Sequence, residues 1–333
     1  MQTCQGSLLV LVASALGTSQ GFARSETLST RATFVSSTNR RETNSRLSVA
    51  TSSPFVAPQP NPNAVEEKES LSGVSHQAVL EGLEQLYPPR DLQLRNAASR
   101  TDGYWKYISQ GQEPPMDLTY GEFDFHFFAQ VMDRAHHHYH CGSDPSTAFA
   151  TSKTWNDKIM MDIGSGTGRL VLGAAALYPE WKECRGVELL QGIHDVAVDK
   201  LEECHVGTTT TRHLPSSDTK LPMAPVKLSC GSFEDPAMGL GDVDCAFAFS
   251  SCFTPDLMDR LGQAVGRECK QGSIVITTDY MLPLVNTIPP SDGDYRTGTY
   301  RLELVEKVDG WCWLTGGEST VYIHRVVESL AAV

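Results

Sequence analysis

An apolar run that ends in regularly spaced glycines leaves a chain few choices of fold, and residues 158–172 are such a stretch. Ile159-Met160-Met161-Asp162-Ile163 reads as a buried strand, Gly164-Ser165-Gly166-Thr167-Gly168 as a tight turn, and Leu170-Val171-Leu172 as the start of a helix. Glycines let backbone approach a ligand where a Cβ would clash, and the first amides of the following helix face that ligand. An acid stands at Glu188, at the end of the next apolar segment, Gly186-Val187, where a ribose diol is bound in folds of this type. The stretch is therefore a nucleotide-type cradle.

The spacing narrows the ligand. A dinucleotide fingerprint needs its third glycine one place later, where this chain has Arg169. The pattern here is Asp-x-Gly-x-Gly-x-Gly, the form seen in S-adenosylmethionine (SAM) methyltransferases, with a nicotinamide enzyme as a distant alternative. The rest of the body alternates strands and helices. Helices are predicted over 189–204 and after Thr254-Pro255, an N-cap followed by a proline at the first helical position. Strands are predicted at 226–230, 243–250 and 272–278, and a closing hairpin pairs 300–305 with 319–326 through 309–317. Residues 205–222 read as a surface loop. The expected fold is a doubly wound, mostly parallel seven-stranded α/β sheet, with ligands over the carboxyl ends of its strands.

Upstream of residue 117 the chain is of another kind. Residues 1–53 hold five arginines against two glutamates, a balance of +3, so with a net charge of −13 for the whole chain the remainder carries −16. Leu8 to Leu16 is too short to span a membrane and small residues follow it; the stretch from Phe22 is rich in Ser, Thr and Arg. Together they suggest a signal-plus-transit presequence like that of algae with secondary plastids, and a plastid location, with cytoplasm or nucleus as alternatives. A Pro-rich linker (54–69) and a small helical and irregular segment (70–116) precede the catalytic-type domain (117–333). Within the small segment 76–87 reads as an amphipathic helix, and 90–116 as irregular, with Tyr104, Trp105 and Tyr107 as core or cover, or else lining an entrance.

The acidic body repels nucleic acid, so no direct nucleic-acid binding and no membrane span in the mature chain are expected. None of the nine cysteines forms a Cys-x-x-Cys pair, and Cys245, Cys252 and Cys269 lie in apolar patterns that suit free, packed thiols and a reducing compartment. His136-His137-His138-Tyr139-His140-Cys141 invites a metal reading, but adjacent histidines on a helix diverge, and a solvated helix end is the expectation. No metal is expected.

Five stretches occur together in one order: Tyr120-Gly121-Glu122 before an apolar helix, the Asp162 to Gly168 turn, Gly186-Val187-Glu188, Phe253-Thr254-Pro255-Asp256, and Trp313-Leu314-Thr315-Gly316 with Tyr322-Ile323-His324. In these the chain resembles the Dot1 family of histone-lysine methyltransferases over about residues 115–326. The resemblance implies SAM as cofactor, held by Tyr120 and Glu122 of a closing loop, Asp162, Gly164, Ser165, Gly166 and Gly168 at the methionine part, Glu188 at the ribose, and Ser232 and Phe233 at the adenine. It implies Ser250 where the family has one of two paired asparagines, and Tyr120, Phe247 and Phe253 beside the acceptor. The chain departs from the pattern at Ser232, Phe249, Ser250, Val321 and Arg169. The implied acceptor is a protein, through a lysine-type amine; a small-molecule acceptor and a non-catalytic SAM-binding module are the alternatives. The implied chemistry is in-line attack by a neutral amine in a dry aromatic channel, where burial depresses the amine's pKa.

Overall fold

The computed structural model describes residues 68–141, 155–206, 212–215, 221–290, 296–312 and 317–331. The presequence-like stretch, most of the linker and Trp313-Leu314-Thr315-Gly316 lie outside the described residues.

The first helix, α1 (His76–Leu86), has the predicted apolar spacing: Val79, Leu83 and Leu86 are buried, and the Ser75 hydroxyl accepts from the Ala78 amide at 3.3 Å. It is followed by α2 (Leu92–Arg100), a wide π turn (Thr101–Trp105), α3 (Lys106–Ser109) and α4 (Phe125–Cys141). Residues 90–116 are therefore largely helical rather than irregular. The residues α2 buries are Leu92, Arg95 and Ser99, so two of its three inward positions are polar and no apolar period shows in the sequence.

The strands are β1 (Ile159–Ile163), β2 (Glu183–Glu188), β3 (His205–Val206), β4 (Arg212–Leu214), β5 (Leu221–Pro222), β6 (Val226–Cys230), β7 (Cys245–Ala248), β8 (Ile274–Thr278), β9 (Val285–Ile288), β10 (Gly298–Cys312) and β11 (Gly317–Glu328). Between them run α5 (Arg169–Leu177), α6 (Gln191–Glu203) and α7 (Pro255–Glu268). The main sheet has eight strands in the order β6-β2-β1-β7-β8-β11-β10-β9, not seven. The additional strand is the edge strand β9, which lies between Pro283 and Pro289 and buries only Ile288, so it presents no apolar run to find. Likewise the expected loop at 205–222 contains β3, β4 and β5, a small antiparallel sheet of two- and three-residue strands too short to carry a period.

Both faces of the sheet are covered, which is why β1 is buried along its whole length and apolar except at Asp162. Met160 packs into the layer containing α1, α4 and α5; Ile159, Met161 and Ile163 pack into the layer that contains Met258, Leu261 and Val265 of α7. β1 pairs in parallel with β2 on one side and β7 on the other. The chain thus leaves β1 in one direction and later returns on the opposite side. Such a switch point opens a crevice at the carboxyl ends of the two strands, where open α/β sheets bind ligands.

Candidate functional site

A cavity of about 580 Å³ occupies that crevice, within the size range of small-molecule sites. Ile163 and Gly164 reach it from β1, Val187 to Leu190 from β2, Gly231, Ser232 and Phe233 from β6, and Phe249, Ser251, Cys252 and Phe253 from beyond β7. Tyr107 and residues 117–121 cross over it.

The glycine turn is held by hydrogen bonds of its own. The Gly164 and Ser165 amides both donate to the Val187 carbonyl, at 2.9 and 3.0 Å, and the Gly168 amide donates to the Ser165 carbonyl at 2.8 Å. Gly164 has φ +75°, and a Cβ there would meet nothing nearer than the Phe253 ring at 4.0 Å, so its bare face opens onto the cavity. A Cβ on Gly166 would lie 2.7 Å from the Tyr120 ring, which sits directly on the turn. The Gly166 amide donates to Glu188 Oε2 at 2.8 Å, and the Leu190 amide donates to Oε1 at 2.9 Å. Glu188 is thus the buried clasp between two strand ends. Burial raises its pKa, and the backbone donors pull the other way.

Asp162 is also buried, and no hydrogen-bond donor among the described residues reaches its carboxyl group. Burial first, and the neighbouring Glu188 second, push its pKa up to about 8. A pair of buried acids beneath a turn favours a ligand that brings positive charge.

Tyr120 and Glu122 are fastened from outside the sheet. Arg95 Nε donates to Glu122 Oε1 at 2.6 Å, the Tyr120 hydroxyl donates to the same oxygen at 2.8 Å, and it lies 3.2 Å from Thr167 Oγ1. Both partners of the ion pair are almost fully buried. Glu122 does not line the cavity; it anchors the covering strand of chain, and Tyr120, to the turn. Burial, reinforced by Glu122, raises the Tyr120 pKa, so its hydroxyl stays a donor.

On the β7 side, Ser251 donates to Asp279 Oδ2, and Asp279 also accepts from Ser319 Oγ at 2.9 Å and the Thr320 amide at 3.1 Å. Asp117 accepts from the Thr254 amide at 2.5 Å and from its hydroxyl at 3.1 Å, and Cys252 Sγ donates to the Thr119 carbonyl at 3.4 Å.

Of the residues singled out from sequence, Tyr120, Gly164, Glu188, Ser232, Phe233 and Phe253 line the cavity; Asp162, Ser165, Gly166 and Gly168 lie in or beneath the turn. Phe247 is fully buried against Phe123 and Phe128, and Ser250 is fully buried with its amide and hydroxyl bonded to Thr278 Oγ1 and the Thr278 carbonyl. Neither lines the cavity. Reasoning from sequence missed Asp117, Ser251 and Asp279, and Cys252 lines the cavity rather than packing in a core. Position along the strand offered one signal: Phe249 stands two residues beyond Phe247, past the carboxyl end of β7, and it is Phe249 that reaches the cavity, packed on Phe123 at 5.1 Å.

Two surface expectations change as well. Tyr104 and Trp105 are neither core nor cover, at 42% and 57% exposure, because the π turn carries them outward; Tyr107 lines the cavity. His136 is buried against Trp155 rather than solvated, because α4 continues past it, and His138 contacts Glu306 at 2.8 Å. Among the described residues no group of three His, Cys, Asp or Glu side chains is arranged to hold a metal ion, and no helix is long and apolar enough to cross a membrane.

No family model and no curated protein matches the chain. Among solved structures, a SAM-dependent methyltransferase from Methanosarcina mazei is similar at 12% identity and TM-score 0.37, covering 52% of this chain and 94% of that one. A precorrin-6y C5,15-methyltransferase from Geobacter metallireducens is similar at 19% identity and TM-score 0.31, covering 52% and 81%. PKMT2 from Rickettsia typhi, in complex with AdoHcy, is similar at 18% identity and TM-score 0.30, covering 39% and 22%.

Proposed function

We propose that the chain is a SAM-dependent methyltransferase whose cofactor lies across the glycine turn. One observation carries this reading. The amides of Gly164, Ser165 and Gly166, which would face a pyrophosphate, are spent on the Val187 carbonyl and on Glu188, and two buried acids lie beneath them. A phosphate would find few donors and an unfavourable field; a sulfonium with an ammonium group finds the reverse. Glu188 keeps lone pairs for ribose hydroxyls, Phe233 and Leu190 offer apolar surface to a base, and the bare face of Gly164 leaves room for the methionine part. Titration calorimetry of the full chain with SAM, S-adenosylhomocysteine and NAD⁺ tests this. Binding of the first two is expected, and binding of NAD⁺ alone would refute the reading.

The acceptor is a protein amine of the lysine type, as the likeness of Tyr120-Gly121-Glu122 and the glycine turn to the Dot1 family implies. The covering segment at Tyr107 and 117–121 favours a second reading, a small-molecule acceptor that fits beneath it. Labelled SAM offered separately to protein extract and to metabolite extract distinguishes the two, and label in neither would leave a SAM-binding module without transfer. The Ser- and Arg-rich segment before residue 54 supports delivery to a plastid, and imaging of a full-length fluorescent fusion in its own cell tests that; a nuclear signal would overturn it.

A further inference from the structure

The far end of the cleft carries a polar pair that the cofactor does not need. In the order β6-β2-β1-β7-β8, the residues suited to adenosine, Glu188 and Phe233, belong to β2 and β6, while Ser251 and Asp279 follow β7 and β8. A ligand laid across the turn with its base at Phe233 directs its other end toward Ser251. Phe249 and Phe253, two residues before and after Ser251 in the chain, line the same cavity, so Ser251 brings a polar group to a lining that is largely aromatic there.

A hydroxyl has one proton and two lone pairs. The Ser251 proton is committed to Asp279, and the Thr278 hydroxyl, 3.3 Å away, can occupy one lone pair. Thr278 Oγ1 is itself fixed by accepting the Ser250 amide at 2.9 Å. One Ser251 lone pair is left for the cavity, and Ser251 can offer it only as an acceptor. Asp279 is built to hold this arrangement: it has φ +60°, unusual for a side-chain-bearing residue, its amide donates to the Thr320 carbonyl at 2.7 Å, and it accepts from Ser319 and Thr320.

We propose that Ser251, positioned by Asp279, receives an N–H of the methyl acceptor, so that the acceptor is an amine, which reacts in its neutral form because attack needs the nitrogen lone pair; this rests on the cofactor reading above. The amine nitrogen attacks the methyl carbon, the N–C bond forms as the S–C bond breaks, and the electron pair stays on sulfur as a thioether. The ammonium so formed leaves with the product and gives up its proton to water. Asp279 is a positioning residue, and Ser251 is the group in contact with the acceptor.

Sinefungin tests this without knowledge of the natural acceptor, because it carries an amine where SAM carries its reactive methyl and S-adenosylhomocysteine carries nothing. Calorimetry on the full chain is expected to show sinefungin bound about tenfold or more tightly than S-adenosylhomocysteine, the worth of a hydrogen bond to a charged group. Ser251→Ala is expected to bring that preference to about onefold with S-adenosylhomocysteine affinity kept, and Ser251→Thr to restore it. Asp279→Asn, which tolerates the same backbone conformation, is expected to reduce the preference by about threefold or more. Equal affinities in the native chain, or a preference that survives Ser251→Ala, would overturn the assignment while leaving the cofactor reading in place. Failure of all the SAM analogues to bind would overturn both.

Discussion

The two halves of the cleft are built on different principles. The cofactor half is made from short stretches of chain: the turn after β1 and the end of β2 clasp each other through Val187 and Glu188, at separations of about twenty residues. The half proposed for the acceptor draws on longer ones as well, with Asp117 on Thr254 and Thr119 on Cys252 across 137 and 133 residues, and Asp279 on Ser251 and Ser319 across 28 and 40. Their acids differ too. Asp117 and Asp279 each have donors, as Glu188 has on the cofactor side, whereas among the described residues none reaches Asp162. A buried acid that no protein donor reaches has its lone pairs left for a ligand.

The largest expected effect comes from that difference. Asp162 goes from an ordinary carboxylate range near 3.8 to about 8 in the folded chain. Between those values the folded state holds a proton that the unfolded state has lost, so this group's contribution to stability falls as pH rises, by up to about 1.4 kcal/mol per pH unit. Asp162→Asn removes the titration: thermal melts of the ligand-free protein from pH 4 to 9 should show the variant gaining on the native chain as pH rises toward 8. Bound SAM brings positive charge that favours the deprotonated form, so its affinity for the native chain should rise over the same window. Melting curves that stay parallel would show Asp162 to be satisfied after all.

Next in size is the tether between the halves. Arg95→Ala strands Glu122 in a buried setting, and breaking a buried ion pair in this way costs about 3–5 kcal/mol. If the halves are separable, hydrogen exchange should accelerate across 88–122 while the amides of 164–168 stay protected. Equal loss of protection in both would make them one cooperative unit and dissolve the contrast.

What was legible in the sequence follows the same division. Asp162 to Gly168, Glu188 and Phe233 could be found because strand, turn and acid lie close along the chain, and the alternation of apolar strands and helices carried the parallel sheet with them. Ser251, Asp117 and Asp279 carry no local signature; they meet only because β7 and β8 are neighbours and because the chain before α4 returns over their ends. Helix α2 was illegible for a related reason: Arg95, an inward residue, exists to serve Glu122, not the core. Phe247 lies within β7 and is buried against Phe123 and Phe128, and Ser250 turns to Thr278, whereas Phe249 and Ser251 stand beyond the strand's end and reach the cavity.

Gly164→Ala probes the cofactor half alone. At φ +75° a side chain costs about 1–2 kcal/mol, and the added Cβ projects toward the space assigned to the methionine part. Melting temperature should fall by a few degrees, and S-adenosylhomocysteine affinity, measured by calorimetry, by about tenfold or more. Unchanged affinity would move the ligand away from the turn.

Asp117→Ala is the smallest change and the sharpest test of separability. Its carboxylate receives the Thr254 amide and hydroxyl at the start of α7, where a negative charge also meets the positive end of the helix. Thr254 still caps its own helix through the Leu257 amide at 3.3 Å, so the loss should be about 1 kcal/mol. The substitution frees residues 116–119 from α7 but touches neither Glu188 nor the turn, so S-adenosylhomocysteine should bind the variant as it binds the native chain. Sinefungin, which reaches toward Ser251, should lose affinity by about twofold to fivefold as Thr119 and Cys252 loosen. A matching loss for both ligands would mean that the segment over the cleft supports the cofactor as much as the acceptor, and the two halves would then be one site held shut from outside the sheet.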